Sequence, residues 1–392
     1  MTRSALTPPS GHIIVLEVIE TEKRFEEIRE EWTELLAHSS ADCIFLTWEW
    51  LHAWWKHLAG SRKLHILAIR SGTSLIAIVP LASSSTKLIR LAHIRPLEFL
   101  GTGSVGSDYL DIIARRGKED EALDFLADYL LREKFVLDLK QLVENRALVL
   151  QLAARLQEQG WNRSEIRTNI CPFIDLAGQT WKSFQAALGP KHRYNFHRRL
   201  KNLHREFDAR FECVVSEDKR SAALGTLVAL HNKRMQERGG SDGLHTAQLV
   251  AFHEELTQLA LSKGWLRLFV LTLNGDIAAA ALYGFMYRKK FYFYQSGFDP
   301  RYSPYSVGLV TMGLAIEAAI EDGANEFDLL HGDEKYKSLW AKTQRDLVRL
   351  ELSPSTPRAW MYRKSIGLNR LARRAVRTSL SMLQSPLSNE AK

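Results

Sequence analysis

The 392-residue chain holds only three cysteines, Cys43, Cys171 and Cys213, far apart and without a Cys-x-x-Cys pair or a Cys/His cluster. That spacing argues against a disulfide framework or a structural zinc, and it fits a reducing, cytoplasmic setting. No apolar run approaches the roughly 20 residues a membrane helix requires; the longest, 277–287, is interrupted by Gly284. Residues 1–11 contain no apolar stretch of signal-peptide length, so no export signal is expected. Acyl-enzyme chemistry finds no support, because no Ser/His/Asp spacing is legible. The glycine-rich stretch 101–107 precedes a strand pattern and lacks a following Lys-Ser/Thr, so it predicts a polar turn lining a cleft rather than a nucleotide loop.

What is present describes a globular protein. Hydrophobic residues make up 45% and charged residues 25%, an ordinary balance for a buried core with a solvated surface. The length suits two domains of roughly 150–200 residues. The net charge of +8 is concentrated at the end, where 354–392 carries eight Lys/Arg against Glu390. Leu368, Leu371, Ala372, Ala375, Val376 and Leu383 recur there at helical spacing. Such a basic amphipathic tail packs on the body or lies on an acidic membrane surface, peripheral to the inner membrane face.

Along the chain, apolar periodicity alternates between strands and helices in two similar orders. In the first half, Thr47 is placed to cap a helix over 48–58, and 64–70 with 75–81 reads as a hairpin around Ser71-Gly-Thr-Ser74. Strands are expected at 97–100, 109–114, 162–168 and 171–175, with helices over 119–133 and 146–160. In the second half, Thr180 opens a helix, a basic helix covers 191–207, and strands follow at 264–272, 277–287 and 290–297. A helix from Val307 to about Asp322, a strand at 326–330, a helix opened by His331 and a last strand at 347–352 complete it. This order predicts an α/β (α+β) fold, mixed sheets flanked by helices, divided as 12–170, 171–353 and the tail 354–392.

Two loops of the second half draw attention. The turn-rich segment 298–308 leads into the helix at Val307, with Ser306 as its expected cap; unpaired N–H groups there favour a phosphate. Gln295 and Gly297 at the strand end, Arg301 as counter-charge, and Ser306, Val307 and Gly308 are the candidate cofactor contacts. The segment His331-Gly-Asp-Glu-Lys-Tyr-Lys337 follows a strand's C-terminal end, a favoured place for chemistry. Tyr336 is the candidate acid, and His331, Asp333 and Glu334 are candidate bases. Asp108 and Asp111 can meet a cationic substrate. Arg198 lies in the basic helix with Lys191, Arg193, Arg199, Lys201 and Arg205; such a helix holds an anionic substrate or RNA, or is simply a solvated face.

Three segments carry a family resemblance: 297–308 (Gly-Phe-Asp-Pro-Arg-Tyr-Ser-Pro-Tyr-Ser-Val-Gly), 325–340 with its Phe-Asp-Leu-Leu-His-Gly-Asp-Glu-Lys-Tyr-Lys run, and Ser-Asp-Tyr-Leu-Asp at 107–111. Together they resemble the GNAT-type acyltransferases related to the CelD cellulose-biosynthesis proteins, akin to FemAB-like transferases. The resemblance spans about 45–350. It implies tandem GNAT-like domains, acyl-CoA (acetyl-CoA above all) as co-substrate with no metal, and a small-molecule or saccharide amine acceptor near polysaccharide or cell-envelope assembly. One departure is visible: Arg301 is followed by Tyr-Ser-Pro-Tyr-Ser-Val-Gly rather than the strict Gln/Arg-x-x-Gly-x-Gly/Ala pattern. An aminoacyl-tRNA donor and a non-catalytic role in exopolysaccharide machinery are the alternatives.

Overall fold

The computed structural model describes residues 4–6, 13–83, 96–103, 105–236, 244 and 246–364, so most of the basic tail lies outside the described residues. The first half comprises β1 (Ser4–Leu6), β2 (Ile14–Ile19), α1 (Glu22–Glu27), α2 (Arg29–Ala37), α3 (Trp48–Leu58), β3 (Lys63–Leu64), β4 (Ile66–Ser71), β5 (Ser74–Val79), β6 (Leu81–Ser83), β7 (Leu97–Phe99), β8 (Ile113–Ala114), α4 (Glu119–Glu133), β9 (Leu137–Val143) and α5 (Leu148–Glu158). The second comprises β10 (Asn162–Asp175), α6 (Trp181–Ala187), α7 (Pro190–Glu206), β11 (Ala209–Cys213), α8 (Glu217–Gln236), α9 (Ala247–Ser262), β12 (Leu266–Leu273), β13 (Ile277–Tyr287), β14 (Lys290–Phe298), α10 (Val307–Glu321), β15 (Glu326–Asp328) and β16 (Thr343–Ser353). It is a mixed α/β fold with helices against its sheets.

Local chemistry sets many of these boundaries. The Thr47 side chain accepts from the Trp50 N–H and starts α3, which buries Trp50 and Trp54 on its inner face. Thr180 and Ser183 form a capping box at α6. α5 has no side-chain cap of its own; the buried Asp111 carboxylate accepts from the Leu148 and Val149 N–H groups at 2.5 and 2.9 Å instead. This occupies the carboxylate expected to meet a cationic substrate. It also explains why the 109–114 strand shrinks to Ile113–Ala114: Tyr109 adopts a left-handed φ of 60° and Asp111 turns toward α5.

The strands build two sheets, one ordered β1-β2-β4-β5-β8 and the other β11-β12-β13-β14-β15-β10-β16-β9-β7-β6-β3. The predicted hairpin passes through both, leaving the small sheet at His65 and Pro80. In each half two parallel strands meet briefly and part: β7 with β9 at Leu97–Leu137, and β14 with β15 over Lys290–Tyr292 and Glu326–Asp328. The two short strands expected at 162–168 and 171–175 are one strand, β10, which crosses residue 170. It pairs with β15 at one end and along its length with β16, which also pairs with β9 of the first half. One sheet therefore runs through both halves.

Glycine lets the second half close. A Cβ on Gly313 of α10 would collide with the Phe196 ring of α7, and one on Gly297 of β14 would collide with the His231 backbone nitrogen of α8. A ring can rotate away, but a helix backbone cannot. Gly297 is thus a packing requirement of α8 on β14. Gly297→Ala is expected to destabilise the fold by about 1–3 kcal/mol, read as a lower urea midpoint; an unchanged midpoint would show that α8 is not seated this closely.

Candidate active site

The parting of β14 from β15 opens the sheet between two cavities. β14 carries one extra residue there: pairing with β13 jumps from Phe293–Gly284 to Gln295–Tyr283, leaving Tyr294 bulged. A bulge leaves its backbone unpaired and re-aims side chains, so the two-residue alternation of a regular strand breaks within 290–297. Phe293, Tyr294 and Gln295 all contribute to the lining of one cavity, of about 210 Å³. Gln295, expected at the cofactor, therefore lies on the other side of the strand end from the α10 loop.

The other cavity, of about 290 Å³, is walled by Gly297, Ser306, Val307 and Gly308 together with Arg234, Thr311 and Trp340. The expected helix start at Val307 is present. Ser306 is not its side-chain cap, however: it takes a left-handed φ of 55° and makes no cap hydrogen bond. Its carbonyl instead accepts from the Leu309 and Val310 N–H groups, which leaves those of Val307 and Gly308, both residues of the cavity wall, as the first-turn donors that this carbonyl does not take. No acidic residue occupies that turn. Arg301 does not line the cavity; Asp299 binds its guanidinium at 2.7 Å and Lys233 at 2.6 Å. Those two cations hold the Asp299 carboxyl well below the usual carboxylate range. The cation at the cavity wall is Arg234, stacked 4.9 Å from the Phe298 ring centroid, a residue whose place at the end of α8 gave no sequence signal.

Tyr336 lines both cavities. It does so from a folded turn, not from the helix expected after His331: only Lys337–Leu339 is helical, as one 3-10 turn. Leu330 has φ 55° and Gly332 φ 125°, and a Cβ on Gly332 would collide with a Glu334 carboxylate oxygen. The buried Lys337 ammonium donates to the Leu330 and His331 carbonyls at 3.2 and 2.7 Å and pairs with Glu334 at 2.9 Å. Those carbonyls are therefore tied to a side chain rather than to a helix. Asp333, expected as a base, is exposed and lines neither cavity, whereas Glu334 borders the smaller one.

His331 is the polar centre of the smaller cavity. Its backbone N–H and its Nδ1 both meet the fully buried Asp108 carboxylate, at 3.0 and 2.9 Å, and Gln141 donates to the same carboxylate at 2.7 Å. Asp108 raises the imidazole above its ordinary pKa by hydrogen bonding first and charge second, against the opposing effect of burial. With Nδ1 held, Nε2 is the nitrogen available to a ligand. Asp108, expected to meet a cationic substrate, is fully buried behind His331 and lines neither cavity. The loop 101–107 does line the cleft: Val105 and Gly106 border the cavity, and a Cβ on Gly106 would sit 3.3 Å from His331 Cε1. Arg198 lies on the exposed face of α7, its guanidinium 5.9 Å from the Tyr194 ring centroid, and lines neither cavity. His253, which the sequence did not single out, is wholly buried at the floor, where desolvation pushes it down to about 3.

Residues 190–338, which include α7, the α10 loop and the His331–Tyr336 turn, match the acetyltransferase (GNAT) domain family. No curated protein sequence matches the chain. Among solved structures, FemX aligns over 82% of this chain and 95% of its own, at 11% identity and a TM-score of 0.58. The C-terminal domain of a protein described as a putative lysylphosphatidylglycerol synthetase from Agrobacterium fabrum aligns over 88% of this chain and 96% of its own, at 11% identity and a TM-score of 0.52. L-PGS from Bacillus licheniformis aligns over 83% and 92%, at 11% identity and a TM-score of 0.51. These likenesses show a shared fold, and within it residues 190–338 are similar to the acetyltransferase (GNAT) domain family.

Proposed function

We propose that this chain transfers an acyl group from acyl-CoA to an amine, the donor entering by the α10 cavity and the acceptor by the His331 cavity. The carrying observation is that Tyr336 borders both, so a thioester reaching past α10 would meet an amine beside His331. The diphosphate would sit on the first-turn N–H groups with Arg234 beside it. The unpaired backbone at the Tyr294 bulge would polarise the thioester carbonyl. Neutral His331 would take the proton from the amine as its nitrogen forms the C–N bond, and Tyr336 would protonate the thiolate as the C–S bond breaks. Holding the two reactants together would supply much of the rate, since effective molarities are worth roughly 7–11 kcal/mol in favourable cases. A saccharide amine of cell-envelope assembly is the acceptor class we favour.

A second reading has a specific observation behind it. α7 exposes Lys191, His197, Arg198, Lys201 and Arg205 to solvent while Phe196 packs on α10, and FemX shares the fold. An aminoacyl-tRNA donor would use that face. Its affinity would fall steeply with salt through counterion release, and charge-reversing Lys201 and Arg205 would flatten the slope; a CoA donor would leave only a shallow dependence.

Three outcomes are expected on the favoured reading. Titration with acetyl-CoA and longer acyl-CoAs should give saturable binding that Arg234→Ala weakens about tenfold; no binding of any acyl-CoA would remove this donor. Tyr336→Phe should lower kcat by about 10²-fold or more with little change in donor affinity, and wild-type turnover would exclude it as the acid. The rate should rise with pH as His331 loses its proton, with a midpoint above the ordinary histidine value of about 6.5. Asp108→Asn removes the charge that favours imidazolium, so the midpoint should move to lower pH while kcat drops. A profile unmoved by this change would show that His331 is not the base.

A further inference from the structure

We propose that Glu22, Glu26 and His52, none of which lines either cavity, form a divalent transition-metal site, of the zinc class, on the first half. Glu22 and Glu26 stand one turn apart on α1, which places both carboxylates on one face. His52 reaches the same point from α3. One ligand atom from each lies within 4.8 Å of the others.

The imidazole supplies the independent observation. The His52 side chain is 9% exposed, and its Nε2 is buried with no hydrogen-bond partner among the described residues. A buried polar nitrogen without a partner is costly, of order 1–3 kcal/mol. This one is aimed at the carboxylates, with Glu26 Oε1 3.7 Å away, too far for a hydrogen bond. Two ligands about 2.1 Å from a common tetrahedral ion stand about 3.4 Å apart, so the Nε2–Glu26 spacing suits a shared ion. Glu22 and Glu26 are exposed and can turn to close the remaining gap. The ring itself is fixed: it stacks on Trp48, centroids 4.2 Å apart, and packs beside Phe25 at 5.4 Å.

The surrounding charges are compatible with a cation. Lys56, one turn beyond His52, is drawn to Glu255 at 2.8 Å, and His57 meets the same carboxylate at 2.7 Å. A metal takes imidazole in its neutral form, through a ring nitrogen that no other partner occupies, as Nε2 is here. One imidazole and two carboxylates favour zinc over magnesium or calcium, which prefer oxygen alone. A water would complete the shell, and the ion would fasten α1 to α3.

The test uses the full chain without an affinity tag. Zinc titrated into metal-free protein should bind at one ion per chain and raise Tm, while magnesium at the same concentration should not. Glu26→Gln and His52→Ala should each weaken zinc binding at least tenfold. Because Glu26 is exposed, Glu26→Gln keeps the test valid if His52→Ala fails to fold. Cobalt should give visible absorption in the wild type that is lost in Glu26→Gln. Absence of stoichiometric zinc, equal affinity in Glu26→Gln, or an equal response to magnesium would overturn the site.

Discussion

The contact between Asp108 and His331 is the constraint on which the rest of the site depends. It joins residues 223 positions apart, one from each half, in an environment where the carboxylate is wholly buried. A buried carboxylate must be paired and hydrogen-bonded. Asp108 meets that requirement with the imidazole, a backbone N–H and Gln141. Nearby Asp328 binds the Tyr109 hydroxyl at 2.7 Å and the Leu330 N–H at 2.8 Å, and burial pushes it up to about 7. The turn that carries His331 and Tyr336 is thus gripped from the first half, while Lys337 ties it from within.

The two halves repeat the parting of a parallel strand pair but differ in the charge of the helix beyond it. α10 begins without an acidic residue, next to a cavity. α4, the corresponding helix after β7, begins with Glu119, Asp120 and Glu121. Carboxylates suit a helix start electrostatically and repel a phosphate from it. The first half instead contributes Val105 and Gly106 to the walls of the cleft, and Asp108 behind His331. The continuous sheet through β9, β16, β10 and β15 holds these contributions in register with the second half.

Much of this was legible in the chain. Caps at Thr47 and Thr180, the hairpin around Gly72, the helix start at Val307 and the long strand 277–287 all rest on local rules, and local rules do not need the partner half. What escaped depends on contacts across the fold. The segment after His331 has helical composition, yet the Lys337 ammonium takes its carbonyls and left-handed Leu330 and Gly332 reverse the chain. Asp111 looks like a free carboxylate until α5 is docked on it. Gln295 changes sides because of a one-residue bulge that periodicity cannot reveal. Arg234 and His253 come from helices whose sequence pattern reports packing alone.

The central claim is that one cleft, assembled across the two halves, takes the donor at α10 and delivers it to His331. Backbone hydrogen exchange, followed by mass spectrometry with and without a non-reactive acyl-CoA analogue, tests it most directly. A single cleft predicts slowed exchange in the peptides around 306–309 and, in the same experiment, in those around 105–108 and 329–336. Protection confined to the α10 loop, or absent from both, would contradict it.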